Sequence, residues 1–140
     1  MFRDMPKGLP QAGDRGLDRT PTWGRTYWGG ALFCLLADVA LRQRTGNRQG
    51  LQDALRGVLA AGGDIRSSWP VAEVFAVGDR ATGTRVLAEL YVEMAERPGP
   101  RQLGELWRQL GVAAGRDDVR LDPAAPLAAV RAAITAAPRP

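Results

Sequence analysis

One apolar stretch, residues 27–42, constrains the fold of this chain more than any other feature. It reads YWGGALFCLLADVALR, with an aromatic pair, a double glycine and then apolar residues at almost every position. A helix without a polar face is either a membrane span or the centre of a folded core. A span needs about 20 apolar residues, whereas this run is shorter, contains Asp38 and lies between Arg25 and Arg42. We therefore expect a core helix from about Arg25 to Arg44 and no membrane insertion.

The composition favours an all-α fold. The chain has 140 residues, of which 45% are hydrophobic and 24% charged, and this is enough for one domain with its own core. Alanine, leucine and glycine dominate while β-branched and aromatic residues are sparse, a composition that suits helices better than strands. We therefore predict an all-α, irregular bundle of five to six helices around the central apolar helix.

Apolar residues at helical spacing predict the other elements. The second helix is expected over about 50–61, the third from about Ser68, and the fourth after Thr84 as its capping residue. The fifth is expected over 103–110 and the sixth from Asp122. Two or three residues of strand are expected within 116–121. Leu55 and Leu59 are expected to face the core from the second helix, and Val71 from the third. Asp38 and Arg42 have the i,i+4 spacing of a helical ion pair.

Three segments are expected along the chain. Residues 1–22 are rich in glycine and proline and show no hydrophobic period, which predicts an irregular N-terminal arm that could pack only against something else. Such an arm before a core helix suits a linker from a preceding unit. Residues 23–137 form the helical domain, and residues 138–140 form a tail.

The chain has no histidine and one cysteine. Without histidine it cannot build the ordinary zinc or general-base sites by itself, and a Cys–His catalytic pair is excluded. Cys34 is expected to be a buried thiol that packs as a small hydrophobe. Glu89 and Glu93 are four residues apart and could share a cation, but an exposed acidic helix face explains them more simply. We therefore predict no metal ligands in this chain.

The formal net charge of +4 raises the question of nucleic-acid binding. Such binding needs basic residues gathered on one face, and the arginines here are scattered among acidic residues instead. We therefore expect no nucleic-acid partner. The compartment stays open between the cytoplasm, which we favour, and a bacterial periplasm.

Several short motifs along the chain match one family of zinc peptidases. They are YxxGAL at 27–32, PKGLP at 6–10, GLD at 16–18, RxxTG at 42–46, LQDAL at 51–55, ATGT at 81–84, LY at 90–91 and APLA at 125–128. In these motifs the chain resembles the C-terminal helical part of the glycyl aminopeptidase family, which is related to the thermolysin-like aminopeptidases. The resemblance covers nearly all of the 140 residues.

This resemblance implies half of an active site. The family tyrosine that matches Tyr27 stabilises the tetrahedral oxyanion beside a zinc ion, whose ligands come from an upstream His-Glu-x-x-His helix and a following glutamate. No such helix exists in this sequence. The resemblance therefore implies a chain that is inactive alone and binds no cofactor itself. In an intact enzyme, an upstream catalytic segment would supply zinc, and the substrate would be a peptide with a free amino end.

Two interpretations of the residues around Tyr27 stay open. An oxyanion site needs a rigidly held donor, which a phenol at the start of a packed helix can supply, and Gly29 and Gly30 would let a substrate or another backbone approach closely. Alternatively, Tyr27 joins Trp23 and Trp28 in an aromatic cluster that anchors the helix in the core. The second functional class is a non-catalytic helical interaction domain, derived from such a peptidase, that binds another protein through its first helix. If an upstream segment normally covers residues 23–31, the isolated chain is expected to bind that segment or a second copy.

Overall fold

The computed structural model describes residues 4–95, 103–115 and 118–136. Its elements in chain order are two short 3₁₀ helices (Met5–Gly8 and Leu17–Arg19), α1 (Trp23–Thr45), α2 (Leu51–Ala60), α3 (Val71–Thr82), α4 (Val86–Ala95), α5 (Leu103–Leu110), β1 (Val112–Ala114), β2 (Val119–Leu121) and α6 (Ala128–Thr135). The predicted all-α bundle around a central helix is confirmed for this part of the chain. The predicted tail at 138–140 lies outside the described residues.

The central helix α1 begins and ends at clear capping residues. The Thr22 hydroxyl accepts a hydrogen bond from the Arg25 backbone N–H at 3.3 Å, so the helix begins two residues earlier than predicted. It ends at Gly46, which has the left-handed φ of 60° and donates its N–H to the Arg42 carbonyl. Such a conformation costs glycine little.

The described residues form two hydrophobic clusters around α1. The larger cluster buries Leu32, Ala37 and Leu41 of this helix together with residues of α2, α4 and α5. The smaller cluster joins Val39 to Leu110 of α5 and Val130 of α6. The apolar helix therefore lies at the centre of the bundle, as its sequence predicts. Among the described residues, no helix combines the length and the apolar character that crossing a membrane requires.

α2 packs against α3 through small residues. A Cβ on Gly57 would collide with the Ala81 side chain, so the two helices are in close contact there. This contact orients α2 so that Ala54 faces the core, where it is 1% exposed. Leu55 and Leu59 consequently point outward, with exposures of 56% and 63%. The prediction that these two leucines face the core is wrong.

α3 buries its C-terminal half, where Val77, Gly78, Asp79 and Thr82 are covered. Its first turn lies at the surface instead. Val71, which was predicted to face inward, is the first residue of the helix and is exposed. That prediction is therefore wrong as well.

α4 begins beside a buried carboxylate that the sequence analysis did not identify. Asp79 accepts hydrogen bonds from the backbone N–H groups of Leu87 at 2.9 Å and Ala88 at 3.0 Å. The predicted capping residue, Thr84, accepts a long bond of 3.4 Å from Val86 and donates to Asp79 at 3.3 Å. The two residues therefore share the cap, and Asp79 makes the shorter bonds.

The segment after α5 forms a small hairpin. β1 and β2 pair antiparallel, with Val112 opposite Leu121. The strand predicted within 116–121 is thus present as β2, whereas β1 was not predicted. The last helix begins later than predicted, because the Asp122 carboxylate accepts from the Ala124 N–H in a turn and Leu127 donates to the Gln109 carbonyl of α5.

The N-terminal arm packs against its own domain. Met5 is 2% exposed and belongs to the larger core cluster, to which Leu9 and Leu17 also contribute. The first 3₁₀ helix lies directly on α1. The prediction that the arm could pack only against something else is therefore wrong, because its apolar residues are spaced irregularly and show no period that the sequence could reveal.

Candidate functional site

A buried ion pair holds the arm against the beginning of α1. Arg25 donates from Nε to Asp14 Oδ2 at 2.5 Å and from Nη1 to the Gly8 carbonyl at 2.5 Å. The side chains are almost fully covered, with exposures of 4% for Arg25 and 0% for Asp14. Asp14 also accepts from the Gly16 N–H at 2.8 Å. The first turn of α1 therefore has a fixed position.

The environment of Asp14 favours its charged form. Burial raises the pKa of this carboxyl, but the hydrogen bonds from Arg25 and the Gly16 N–H, together with the positive charge of Arg25, outweigh burial and bring the pKa below its ordinary value. The Asp14 carboxylate therefore stays ionised at neutral pH.

The backbone of the arm crosses the backbone of α1 closely at the double glycine. A Cβ on Gly8 would lie under 3.0 Å from backbone atoms of Trp28 and Gly29. Gly29 also lies beneath the Leu17 side chain and is buried. The close approach that the double glycine was expected to permit is thus made by the chain's own arm at Gly29.

Tyr27 and Trp23 lie outside the core. Their exposures are 67% and 64%, and their rings are tilted by 35° with centroids 5.7 Å apart. The Lys7 ammonium lies 5.8 Å from the centroid of the Trp23 ring. Only Trp28 of the expected cluster packs against the core. The alternative that all three aromatic residues anchor the helix in the core is therefore wrong for Trp23 and Tyr27.

These aromatic residues belong to one uncovered surface, the exposed α1 face, formed by Trp23, Tyr27, Gly30 and Cys34. Their spacings of four, three and four residues place them along one side of the helix. A Cβ on Gly30 would meet no heavy atom within 4 Å. Between residues 23 and 37 the sequence has a single charged residue, Arg25, and that side chain is buried.

Cys34 is exposed, so the prediction of a buried thiol is wrong. The cysteine lies on the side of α1 that no described element covers. Partial burial by neighbouring atoms still raises the pKa of this thiol above its ordinary value. A raised pKa keeps the thiol protonated at neutral pH and makes it a poor nucleophile.

The structure therefore separates the three predicted site residues. Tyr27 and Gly30 are three residues apart and share the exposed α1 face, whereas Gly29 lies under the arm on the other side. The sequence analysis missed Asp14, which fixes the helix start. No short motif links it to Arg25, because the two residues are eleven positions apart in an irregular segment.

The acidic residues of α4 do not form a metal centre in the described part of the chain. Glu89 forms a surface ion pair with Arg44 at 2.8 Å. Across residues 4–95, 103–115 and 118–136, no group of three His, Cys, Asp or Glu side chains could hold a metal ion. The acidic side chains in this part of the chain therefore do not gather into a zinc site.

Comparisons with known proteins identify no family. No protein-family model, no curated protein and no solved structure matches this chain. The resemblance to the glycyl aminopeptidases therefore depends on the sequence motifs alone and stays a prediction.

Proposed function

We propose that this chain is the C-terminal helical domain of a zinc metallopeptidase of the aminopeptidase type, inactive alone, and that Tyr27 is its oxyanion-stabilising residue. The observation that supports the proposal is the position of Tyr27, which is exposed by 67% on a helix turn that a buried ion pair holds in place. A tyrosine with only a packing role would be expected in the core.

The chemical role of Tyr27 is to donate a hydrogen bond. Attack on a peptide carbonyl places negative charge on its oxygen, and a donor held about 3 Å from that oxygen lowers the barrier. The O–H group of a phenol can donate its hydrogen in such a bond. Arg25 and Asp14 act as positioning residues, because they fix the backbone two residues before the phenol.

Gly30 would form the substrate side of this site. It lies one turn after Tyr27 on the same face and has open space above its Cα, so an extended peptide backbone could approach there. Gly29 has no such role in the proposal because the arm covers it. Zinc would be held by residues of a separate segment, since this chain has no histidine and its described residues form no ligand set.

The proposal is tested by reconstitution. The chain is combined with a family-type segment that contains His-Glu-x-x-His, and aminopeptidase turnover is measured with and without zinc. We expect Tyr27→Phe to lower kcat by about 10²-fold or more while the circular dichroism spectrum stays unchanged. Tyr91→Phe is the matched control, because it also removes a phenol hydroxyl, one that donates to Asp18 away from this face. Full turnover in Tyr27→Phe would refute the mechanism.

The chain alone provides a second test. We expect no zinc-dependent peptidase activity from the purified 140-residue chain, since it has no histidine. Equimolar zinc bound tightly, together with peptide cleavage, would show that the chain is a complete enzyme. Translation of the DNA upstream of Met1 would show whether a His-Glu-x-x-His motif lies in frame.

The second candidate function is a non-catalytic interaction domain. It is favoured by the same uncharged face, because interface centres are depleted in charged residues and enriched in tyrosine and tryptophan. The two functions respond differently to mutation. Binding through this face would be weakened by Trp23→Ala and hardly changed by Tyr27→Phe, whereas catalysis would depend on the Tyr27 hydroxyl.

A further inference from the structure

The exposed α1 face has two halves of opposite shape. Its N-terminal half has two large rings, Trp23 and Tyr27, which are both about two-thirds exposed. Its C-terminal half has Gly30 and Cys34, which leave a shallow surface over the helix backbone. A large half beside a small half is the shape that a copy of the same surface can fill when it is turned around.

We infer that the exposed α1 face binds a second copy of this chain in an antiparallel, two-fold arrangement. Trp23 packs against Cys34 of the partner subunit, and Tyr27 packs against Gly30 of the partner subunit. The two-fold axis then passes between positions 28 and 29. Each contact joins a ring to a small residue, so the helices approach to about 8–10 Å, the usual separation of packed helices.

The extent of the uncovered surface fixes both the direction and the register. The same side of α1 is buried from Ala37 onward, so a partner helix can contact only positions 23–34. A parallel partner would place Trp23 against Trp23 of the partner subunit, and would leave a gap at Gly30. Antiparallel overlap of positions 23–34 is the arrangement in which every ring meets a small residue.

Charge and area also suit a second copy. The basic chain, with a net charge of +4, would repel itself at a charged surface, but the four residues of this face are uncharged. The Lys7 ammonium beside the Trp23 ring is paired with Asp4 at 2.6 Å. A buried Trp or Tyr contributes about 150–250 Å², and here each ring is already one-third covered. The interface therefore falls among the weak ones, which bury less than about 1,200 Å² in total. We expect a monomer–dimer equilibrium that depends on concentration.

The dimer is a property of the isolated chain and does not depend on the proposed peptidase function. A segment that completed an active site at Tyr27 would cover the same face and compete with the second copy. Loss of the dimer in the tests below would leave the role of Tyr27 untouched. Conversely, full turnover of the reconstituted Tyr27→Phe enzyme would refute the catalytic role and would not bear on the dimer.

Disulfide trapping tests the register with a single substitution. Trp23→Cys places a thiol opposite the native Cys34 of the partner subunit, and oxidation with diamide, which takes up the two thiol hydrogens, should join them. The two positions in one chain are about 16 Å apart along the helix, so an intrachain disulfide is impossible. We expect a covalent dimer in which mass spectrometry finds a 23–34 linkage.

The matched controls decide the outcome of trapping. The native chain, with Cys34 alone, should stay monomeric on a non-reducing gel because the two Cys34 residues are also about 16 Å apart. Leu59→Cys puts a thiol at another exposed apolar site, which is 63% exposed, and should form no dimer. A 34–34 linkage, an equal yield from Leu59→Cys, or no 23–34 linkage would overturn the inference.

A charge at the centre of the interface tests affinity without trapping. Gly30→Arg adds a side chain where the monomer has open space, and buries a charge only in the dimer. Sedimentation equilibrium should show a dissociation constant raised at least about tenfold. Gly104→Arg is the control, since a Cβ on that helical glycine also meets nothing within 4 Å, and it should leave the constant unchanged. A native chain that is monomeric at all concentrations, or a dimer that Gly30→Arg does not weaken, would overturn the inference.

Discussion

The two halves of one side of α1 have opposite environments. In the N-terminal half Trp23 and Tyr27 are 64% and 67% exposed, whereas in the C-terminal half Ala37 and Leu41 are both 0% exposed. All four residues are apolar or aromatic and follow one helical period. The larger side chains, which would gain most from burial, are the ones that lie at the surface.

The difference arises from the elements that cover each half. α2 folds back over the C-terminal half, because the Asp38 carboxylate accepts from the Leu51 N–H at 2.7 Å at the start of α2. Among the described residues, the N-terminal half is supported from its opposite side, where the arm packs and Arg25 pairs with Asp14. The arm thus fixes the position of the exposed half from the opposite side of the helix, and a binding or catalytic surface requires such support.

The largest expected effect comes from removing this support. Arg25→Ala leaves the Asp14 carboxylate buried without its ion-pair partner, and we expect a loss of about 3–5 kcal/mol in the free energy of unfolding. Urea denaturation followed by circular dichroism measures the loss. Arg44→Ala, which removes the exposed pair with Glu89, is the control and should cost at most about 1 kcal/mol. Equal midpoints for the two variants would show that the arm does not stabilise α1.

The same pair should make the protein sensitive to acid. The folded-state pKa of Asp14 lies below its ordinary value, so the stabilisation is present above that value, about 3.9, and is lost as the pH falls through the lowered pKa. The difference in stability between the native chain and Asp14→Asn should therefore shrink as the pH falls below about 4. A difference that stays constant to about pH 2.5 would contradict an ionised Asp14.

The third prediction compares the two halves directly. Leu41→Ala removes a fully buried side chain and should cost about 2–5 kcal/mol. Tyr27→Ala removes a larger but exposed side chain on the same side of the helix, and should change the stability by about 0.5 kcal/mol or less. Both are measured at low chain concentration, where the dimer is absent. A similar loss for the two variants would mean that Tyr27 is covered in solution.

The fold could be predicted from the sequence where the spacing of residues within one helix was sufficient. The apolar run of α1, Gly46 at its end and the pairing of Asp38 with Arg42 all follow from local spacing, and the structure confirms them with an Asp38–Arg42 distance of 3.2 Å. Local spacing cannot say which side of α1 stays uncovered. That depends on where α2 and the arm pack, and these contacts join residues far apart in the chain.

Two errors have this origin. Leu55 and Leu59 have helical spacing, but the contact of Gly57 with Ala81 rotates α2 so that both leucines lie outside. Cys34 lies in an apolar run, yet no described element packs over it. For the candidate site, Tyr27 and Gly30 could be named from sequence motifs, whereas its supporting residue Asp14 could not.

The fourth prediction concerns the junction between the two halves. Asp38 is 13% exposed, pairs with Arg42 and caps the first N–H of α2. Asp38→Ala should therefore cost about 1–3 kcal/mol, because it leaves the Arg42 Nε–H and that backbone N–H without their acceptor. Glu73→Ala, an exposed acidic residue in the first turn of α3, is the control, and urea midpoints measure both. Indistinguishable midpoints would show that Asp38 merely faces water.

The last prediction compares two glycines on opposite sides of the exposed half, whose substitutions should have opposite signs. Gly30→Ala adds a methyl group in open space and replaces a helical glycine, so it should stabilise the chain by about 0.5–1 kcal/mol. Gly8→Ala would push its Cβ into the backbone of Trp28 and Gly29, which cannot move without shifting α1, and should destabilise by about 1–3 kcal/mol. The sign of the change in urea midpoint separates the two. If Gly30→Ala destabilised the chain and Gly8→Ala did not, the arm would lie elsewhere and the exposed side of α1 would be the covered one.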